Sequence, residues 1–260
     1  MKKCLLLIFV FQMVGNHIYA QSKIEILAFI DNNQIEDIQK LLDNGYNINT
    51  EAAFNYTPLI YAIDKNNIEV VEFLIKYKPD LELCTNMGSP ITVAARNNNR
   101  KMIELLLDNG ADINNDFRFS DRRARTDSAI FIAAIRLDFE LFDYLLSKGA
   151  DVNTGRLLED ENALMAVISN YSTSKYITYR SETIRMVNKL IENGIDINHS
   201  VYYGNALTQA VSRNDEELVE IILKNGFDLN IIIPDYNMTT YEYLYRLKKP
   251  DIMEIIDKYK

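Results

Sequence analysis

One five-residue phrase recurs along this chain: Gly45 Tyr46 Asn47 Ile48 Asn49, Gly110 Ala111 Asp112 Ile113 Asn114, Gly149 Ala150 Asp151 Val152 Asn153, Gly194 Ile195 Asp196 Ile197 Asn198 and Gly226 Phe227 Asp228 Leu229 Asn230. A degenerate copy runs from Lys78 to Glu82. With Lys78 in the glycine position, successive copies stand 33, 32, 39, 45 and 32 residues apart. That period belongs to stacked helical units, each covering the apolar face of its neighbour. A chain built this way is a solenoid, and its function is to be sought on a surface.

A second element precedes each phrase. Thr57 Pro58 Leu59 Ile60 Tyr61 Ala62, Ser89 Pro90 Ile91 Thr92 Val93 Ala94, Ser128 Ala129 Ile130 Phe131 Ile132 Ala133 and Asn205 Ala206 Leu207 Thr208 Gln209 Ala210 all stand 21 residues before their glycine position. Thr, Ser or Asn suits a helix N-cap, Pro is tolerated in the first turn, and Ala lets neighbouring helices approach. A second apolar-periodic run follows in each unit: Ile68 to Ile75, Met102 to Leu107, Phe139 to Leu146, Ile184 to Ile191 and Leu218 to Leu223. Glycine then ends the helix, where a left-handed residue is needed. Lys78 followed by Pro79 departs from this and predicts a different turn.

Together these elements resemble the ankyrin repeat, whose Thr-Pro-Leu-His-x-Ala stretch opens the first of two helices. The resemblance implies an all-α ankyrin-repeat solenoid of about seven helix pairs with protruding β-hairpin turns. Its units fall at about 22–49, 50–82, 83–114, 115–153, 154–198, 199–230 and 231–260, and the last of them reads as a terminal cap. The family's His is absent throughout, with Ile60, Thr92, Phe131, Met165, Thr208 and Glu242 in its place. That removes a structural hydrogen bond from the family picture.

Residues 1–20 stand apart from the repeats. Lys2 and Lys3 precede an apolar run from Cys4 to Val14 and a polar stretch ending at Tyr19 Ala20, which reads as a cleaved secretory signal peptide. An uncleaved membrane anchor is the alternative, but the run is far shorter than the roughly 20 residues that span a bilayer. Ser22 and Glu25 form a capping-box pattern, so a helix is ready to begin just beyond the cut, and 21–260 is expected to be one repeat domain. Removing the two lysines from 28 basic residues leaves 26 against 37 acidic ones, a net charge of about −11. That balance disfavours nucleic acid and anionic lipid as partners.

Two insertions break the register. The 39-residue step holds Phe117, Arg118, Phe119, Arg122, Arg123 and Arg125 in an otherwise acidic chain. Arginine and aromatic residues are enriched at binding hot spots, and a protruding hairpin presents them, although a solvated loop folded onto the stack is the competing reading. The 45-residue step places a polar stretch, Asn170 to Arg180, between the two helices of one repeat, where a flexible loop is expected. Other hairpin tips carry Phe54, Tyr56, Met87, Leu157, Leu158, Tyr202, Tyr203, Ile231 to Ile233 and Tyr236. Exposed apolar patches of this kind mark interaction sites. Arg96, Arg136 and Arg213 lie near the ends of first helices and extend the arginine set.

Catalytic chemistry finds no constellation. The segment after residue 20 has one histidine, His199, and one cysteine, Cys84, so no metal site, cofactor or catalytic dyad is expected, nor an intramolecular disulfide. Gly-rich phosphate loops and nucleophile elbows are absent. The reading is a non-enzymatic, monomeric protein-binding module, exported to the periplasm or beyond in a bacterium. Immunity and accessory roles fit this, and a secreted effector or toxin component is the alternative. The binding set is Phe54, Tyr56, Met87, Arg96, Phe117, Arg118, Arg122, Arg123, Arg125, Arg136, Tyr202 and Tyr203.

Overall fold

The computed structural model describes residues 23–115, 128–154, 160–170 and 177–260. These fall into two compact units, residues 23–115 and residues 128–260, divided along the chain within the 39-residue step. The first unit holds α1 (23–31), α2 (Ile35–Asp43), α3 (Pro58–Asp64), α4 (Ile68–Ile75), α5 (Pro90–Arg96) and α6 (Arg100–Asp108). The second holds α7 (Ala129–Ile135), α8 (Phe139–Ser147), α9 (Ala163–Asn170), α10 (Ile177–Glu192), α11 (Ala206–Ser212), α12 (Glu216–Lys224), α13 (Thr240–Arg246) and α14 (Pro250–Asp257). Two antiparallel ladders, β1 (Ser200–Val201) with β2 (Gly204–Asn205) and β3 (Ile232–Ile233) with β4 (Met238–Thr239), make hairpins in the second unit.

From α3 onward, each first helix begins where a side chain satisfies a free amide. Thr57 Oγ1 accepts from the Ile60 N–H at 3.1 Å, Ser128 Oγ from Phe131 at 3.1 Å, and Asn205 Oδ1 from Thr208 at 3.1 Å. Pro58 and Pro90 stand in first turns, where no intrahelical amide is lost. Of the six residues that replace the family's histidine, Thr92 shares a hydroxyl hydrogen bond with its N-cap Ser89 at 2.8 Å, and the other five divide into two groups. Ile60, Phe131 and Met165 are wholly buried and fill the core. Thr208 and Glu242 accept a hydrogen bond from the backbone N–H of their own N-cap, closing capping boxes at Asn205 and Thr239.

Second helices begin on Asn67, Asn99, Asp138 and Asp215, each accepting from the amide three residues on. They end in the left-handed region, as at Gly45 and Gly110, where two bonds close the last turn: Gly110 N–H to Leu107 O and Ala111 N–H to Leu106 O, both 3.0 Å. At the degenerate copy Lys78 adopts this conformation, with φ 53°, and donates to Ile75 O at 2.9 Å. Pro79 has no N–H for the second bond, so the turn differs as its sequence predicts.

The 45-residue step yields a correction. Instead of a helix confined to Ile184–Ile191, α10 runs for 16 residues from Ile177, against 8 or 9 for α4, α6, α8 and α12. Its extra turns take up the end of the stretch expected to be a loop. Arg180 explains why: its Nε and Nη2 reach the Asp215 carboxylate at 3.1 and 2.9 Å, and Nη2 reaches Glu217 at 2.8 Å. Asp215 is 3% exposed and also caps α12, so the extension is tied to the start of the next second helix. Further along, Arg185 lies 4.1 Å over the Phe139 ring and Lys189 Nζ is 2.5 Å from Asp143.

Candidate interaction surface

The recurring phrase is a zipper. Within a copy the first acidic side chain accepts from the amide two residues on: Asp112 Oδ1 from Asn114 at 2.9 Å, Asp196 Oδ1 from Asn198 at 3.0 Å, Asp228 Oδ1 from Asn230 at 2.8 Å. The last side chain then accepts from the Asp amide of the following repeat. Asn49 Oδ1 takes Asp80 N–H at 2.9 Å, Asn153 takes Asp196 at 2.6 Å, and Asn198 takes Asp228 at 2.8 Å. In the degenerate copy Glu82 substitutes for Asn and accepts from Asp112 at 2.8 Å. Burial pushes its carboxyl up, a cost the Asp112 amide partly offsets. These bonds fix the hairpin bases and leave the tips to vary.

In the first unit the tip Ala53–Asn55 puts Phe54 at 81% exposure with a left-handed backbone, φ 60°. Tyr56 behind it is half-buried, donates to Asp64 Oδ2 at 2.8 Å and meets the Tyr61 ring edge-on at 5.1 Å. Burial and that bond push its hydroxyl up to about 12, and the nearby Arg96 charge opposes the rise. Tyr61 donates to Asp31 at 2.8 Å, and Lys65 Nζ lies 5.0 Å over the Tyr61 ring and 3.5 Å from the same carboxylate. Arg96 is exposed at the end of α5 and crosses the Thr85–Gly88 turn, where a Cβ on Gly88 would stand 2.7 Å from its Nη2. Met87, half-buried, occupies that turn. Tyr56, Met87 and Arg96 are thus brought together around α3 and α5.

In the second unit Arg136 is exposed at the end of α7. Tyr202 is 53% exposed, its ring edge-on to Tyr203 at 4.8 Å, and the Tyr203 hydroxyl donates to Glu161. Tyr236 is 44% exposed and packs on Tyr243 at 4.7 Å. Phe117, Arg118, Arg122, Arg123 and Arg125 lie outside the described residues, as do Phe119, Leu157 and Leu158.

Other sequence landmarks take structural roles. The His199 imidazole Nε2 bonds to the Asp160 carbonyl. Cys84 is buried, and burial pushes its thiol up to about 11, against the opposing Arg96 charge. An open groove of about 820 Å3 is lined by Glu72, Lys76, Leu81, Glu82 and Leu105, but by none of the binding set. Among the described residues no group of three His, Cys, Asp or Glu side chains is placed to hold a metal, and no helix is long and apolar enough to cross a membrane.

Sequence reasoning missed a second ladder in the turns between paired helices. Asn67 Nδ2 donates to Asn33 Oδ1 at 3.3 Å, Asn99 to Asn66, and Asn97 to the Ile63 and Asp64 carbonyls, both at 3.2 Å. Lys249 Nζ closes the same position in the last repeat, on Val211 O and Asn214 Oδ1, both at 2.6 Å. The available signal was the Asn pair just before α4 and α6, Asn66 Asn67 and Asn98 Asn99.

Comparison with known proteins agrees with this geometry. The family described as ankyrin repeats (3 copies) matches residues 26–117 and 130–233. The chain belongs to the ankyrin-repeat family. Curated relatives include ankyrin repeat proteins of Rickettsia bellii, 34% identical over 32% of this chain and 53% of its own length, and of Rickettsia felis, 31% identical over 31% and 39%. The chain therefore spans about half the length, or less, of these relatives. Among solved structures, an ankyrin repeat domain from Acinetobacter baumannii superposes with a TM-score of 0.59 at 24% identity, covering 78% of this chain and 98% of that one. The ankyrin repeat domain of Bcl-3, of the IkappaB family, gives 0.62 at 18%, covering 89% and 97%. Ankyrin repeats are protein–protein interaction modules, and their fold is generally a non-enzymatic interaction scaffold.

Proposed function

We propose that this protein is an exported binding scaffold that engages a protein partner through its hairpin tips and the adjoining ends of its first helices. The observation that carries the reading is the exposure of large apolar side chains at tips in both units: Phe54 at 81%, Tyr202 at 53%, Ile232 at 49% and Tyr236 at 44%. The zipper of Asn and Asp bonds already stabilises the hairpin bases, so the fold does not require these rings to face water. Arg96 extends the tips of the first unit and Arg136 those of the second, and Phe117, Arg118, Arg122, Arg123 and Arg125 are added from the sequence alone; arginines of this kind call for an acidic area on the partner.

Export is supported by Lys2, Lys3 and the apolar run from Cys4 to Val14. Location separates the two roles. A monomer retained in the periplasm acts as an immunity or accessory protein; one released to the medium acts as an effector or toxin component. Fractionation of the native bacterium decides between them, and a cytoplasmic protein with residues 1–20 still attached overturns export. The binding surface is tested by photo-crosslinkers at positions 54 and 202 and at positions 104 and 220 on second helices. Adducts with one protein from the tips alone support the reading; adducts from the second helices alone overturn it.

A further inference from the structure

The two hairpins of the second unit stand side by side, with the Asp235 N–H donating to the Tyr202 carbonyl at 3.0 Å. That bond sets residues 202 and 235 next to each other, and Tyr202, Tyr236 and Ile232 are each about half exposed. Residues 199–205 and 231–245 contain no Lys or Arg, whereas Asp235 and Glu242 lie within them. A neighbouring turn adds Glu161, which accepts from Tyr203. Aromatic faces beside carboxylates attract cations, through the ring quadrupole and through charge.

The chain shows elsewhere what this combination takes up. Lys65 sits over Tyr61, whose hydroxyl is bonded to Asp31, and is itself 3.5 Å from that carboxylate. Lys260 Nζ lies 4.1 Å over Tyr241, whose hydroxyl donates to Asp257 at 2.9 Å. At Tyr61 the ring and a carboxylate hold the ammonium group between them; at Tyr241 the ring takes it while its hydroxyl is bonded to a carboxylate.

We propose that the paired hairpins of the second unit dock a cationic segment of the partner protein, with an Arg or Lys side chain lying over Tyr202 or Tyr236 beside Asp235. This rests on the reading of the tips as the binding surface and adds the chemistry of what they bind. It also gives these hairpins a charge preference opposite to the one proposed for the arginines.

The test is a titration of the isotopically labelled full chain with a short oligo-arginine peptide and an oligo-glutamate peptide of equal length, followed by NMR. Oligo-arginine is expected to shift the amides of residues 200–205 and 231–243, and oligo-glutamate to leave them unmoved. Replacing both rings, Tyr202→Ala with Tyr236→Ala, keeps the net charge and is expected to weaken oligo-arginine binding roughly tenfold. The double Phe variant restores it, because the ring face is kept. Circular dichroism confirms that the half-exposed substitutions leave the fold intact. Equal affinity in the double Ala variant reduces the effect to general attraction by an acidic chain and overturns the proposal, as does oligo-glutamate shifting the same amides. If position 202 crosslinks the native partner while oligo-arginine leaves the hairpins unmoved, the cationic assignment fails and the tip reading stands. Loss of tip crosslinking overturns both.

Discussion

In the first unit, Tyr56 turns its hydroxyl back to Asp64 and leaves Phe54 as the outermost ring of a tip without strands. In the second, Tyr202 and Tyr236 stand on two β-hairpins joined by the Asp235 N–H. Beneath both, the same bond from one repeat's Asn to the next repeat's Asp recurs, Asn49 to Asp80 and Asn198 to Asp228. The comparison teaches where sequence is free to change. Bases are held by local backbone chemistry that every repeat must repeat, while tips answer only to what they touch.

The largest break in this comparison is expected at the N-caps of the first helices. Asn205 is wholly buried, caps Thr208 and donates from Nδ2 to Thr240 Oγ1 at 2.8 Å in the next repeat. Its counterpart Thr57 caps Ile60. Asn205→Ala leaves buried polar groups unmatched and should cost about 2–3 kcal/mol, against about 1 kcal/mol for Thr57→Ala. Urea denaturation measures both, and equal losses would mean that the bond to Thr240 contributes nothing.

Next comes the clamp on α10. Arg180→Ala removes the cation from a carboxylate that is 3% exposed and is expected to cost about 1–2 kcal/mol, held down because Arg180 itself is 39% exposed. Hydrogen exchange should speed up in the first turns of α10 and at the start of α12, with α4 and α6 unchanged. This clamp also shows what was illegible in the sequence. Caps at Thr57, Ser89, Ser128 and Asn205, and the altered turn at Lys78 and Pro79, were legible because the side chain acts on backbone within a few residues. Arg180 and Asp215 lie 35 residues apart, so a polar, Tyr-rich stretch read as loop until packing paired them. The Tyr202 tip was legible as an exposed aromatic, but its junction with Asp235 was not, because it joins two hairpins through backbone.

The zipper bonds should each be worth about 1 kcal/mol, because they lie near the surface and water competes for them. Asn49→Ala and Asn198→Ala are expected to destabilise alike, and a clear difference would show that one unit leans on its zipper more. Alkaline pH separates the units further. Cys84 and Tyr56, both in the first unit, are held neutral, their groups pushed up to about 11 and about 12. Their contribution is complete below the unfolded values near 9 and 10 and is lost as pH rises through the folded ones. Exchange at α3 and α5 should therefore quicken between those limits ahead of α7. Cys84 should also resist a thiol reagent at pH 8 until denaturant is added.

The smallest effect is a gain. Lys78 holds the left-handed conformation that Gly45, Gly110 and Gly149 adopt without a side chain to strain. Lys78→Gly removes that strain but also loosens the unfolded chain, so the net stabilisation is expected to be about 0.5 kcal/mol. Pro79 remains, and with it the missing second bond of the turn, so the gain isolates the backbone strain alone. The pair Lys78→Gly with Pro79→Ala restores an N–H at the position where Ala111 donates to Leu106. A further rise in the denaturation midpoint of the double variant would show that the first unit's irregular turn costs it stability twice. No rise would place the whole cost on Lys78.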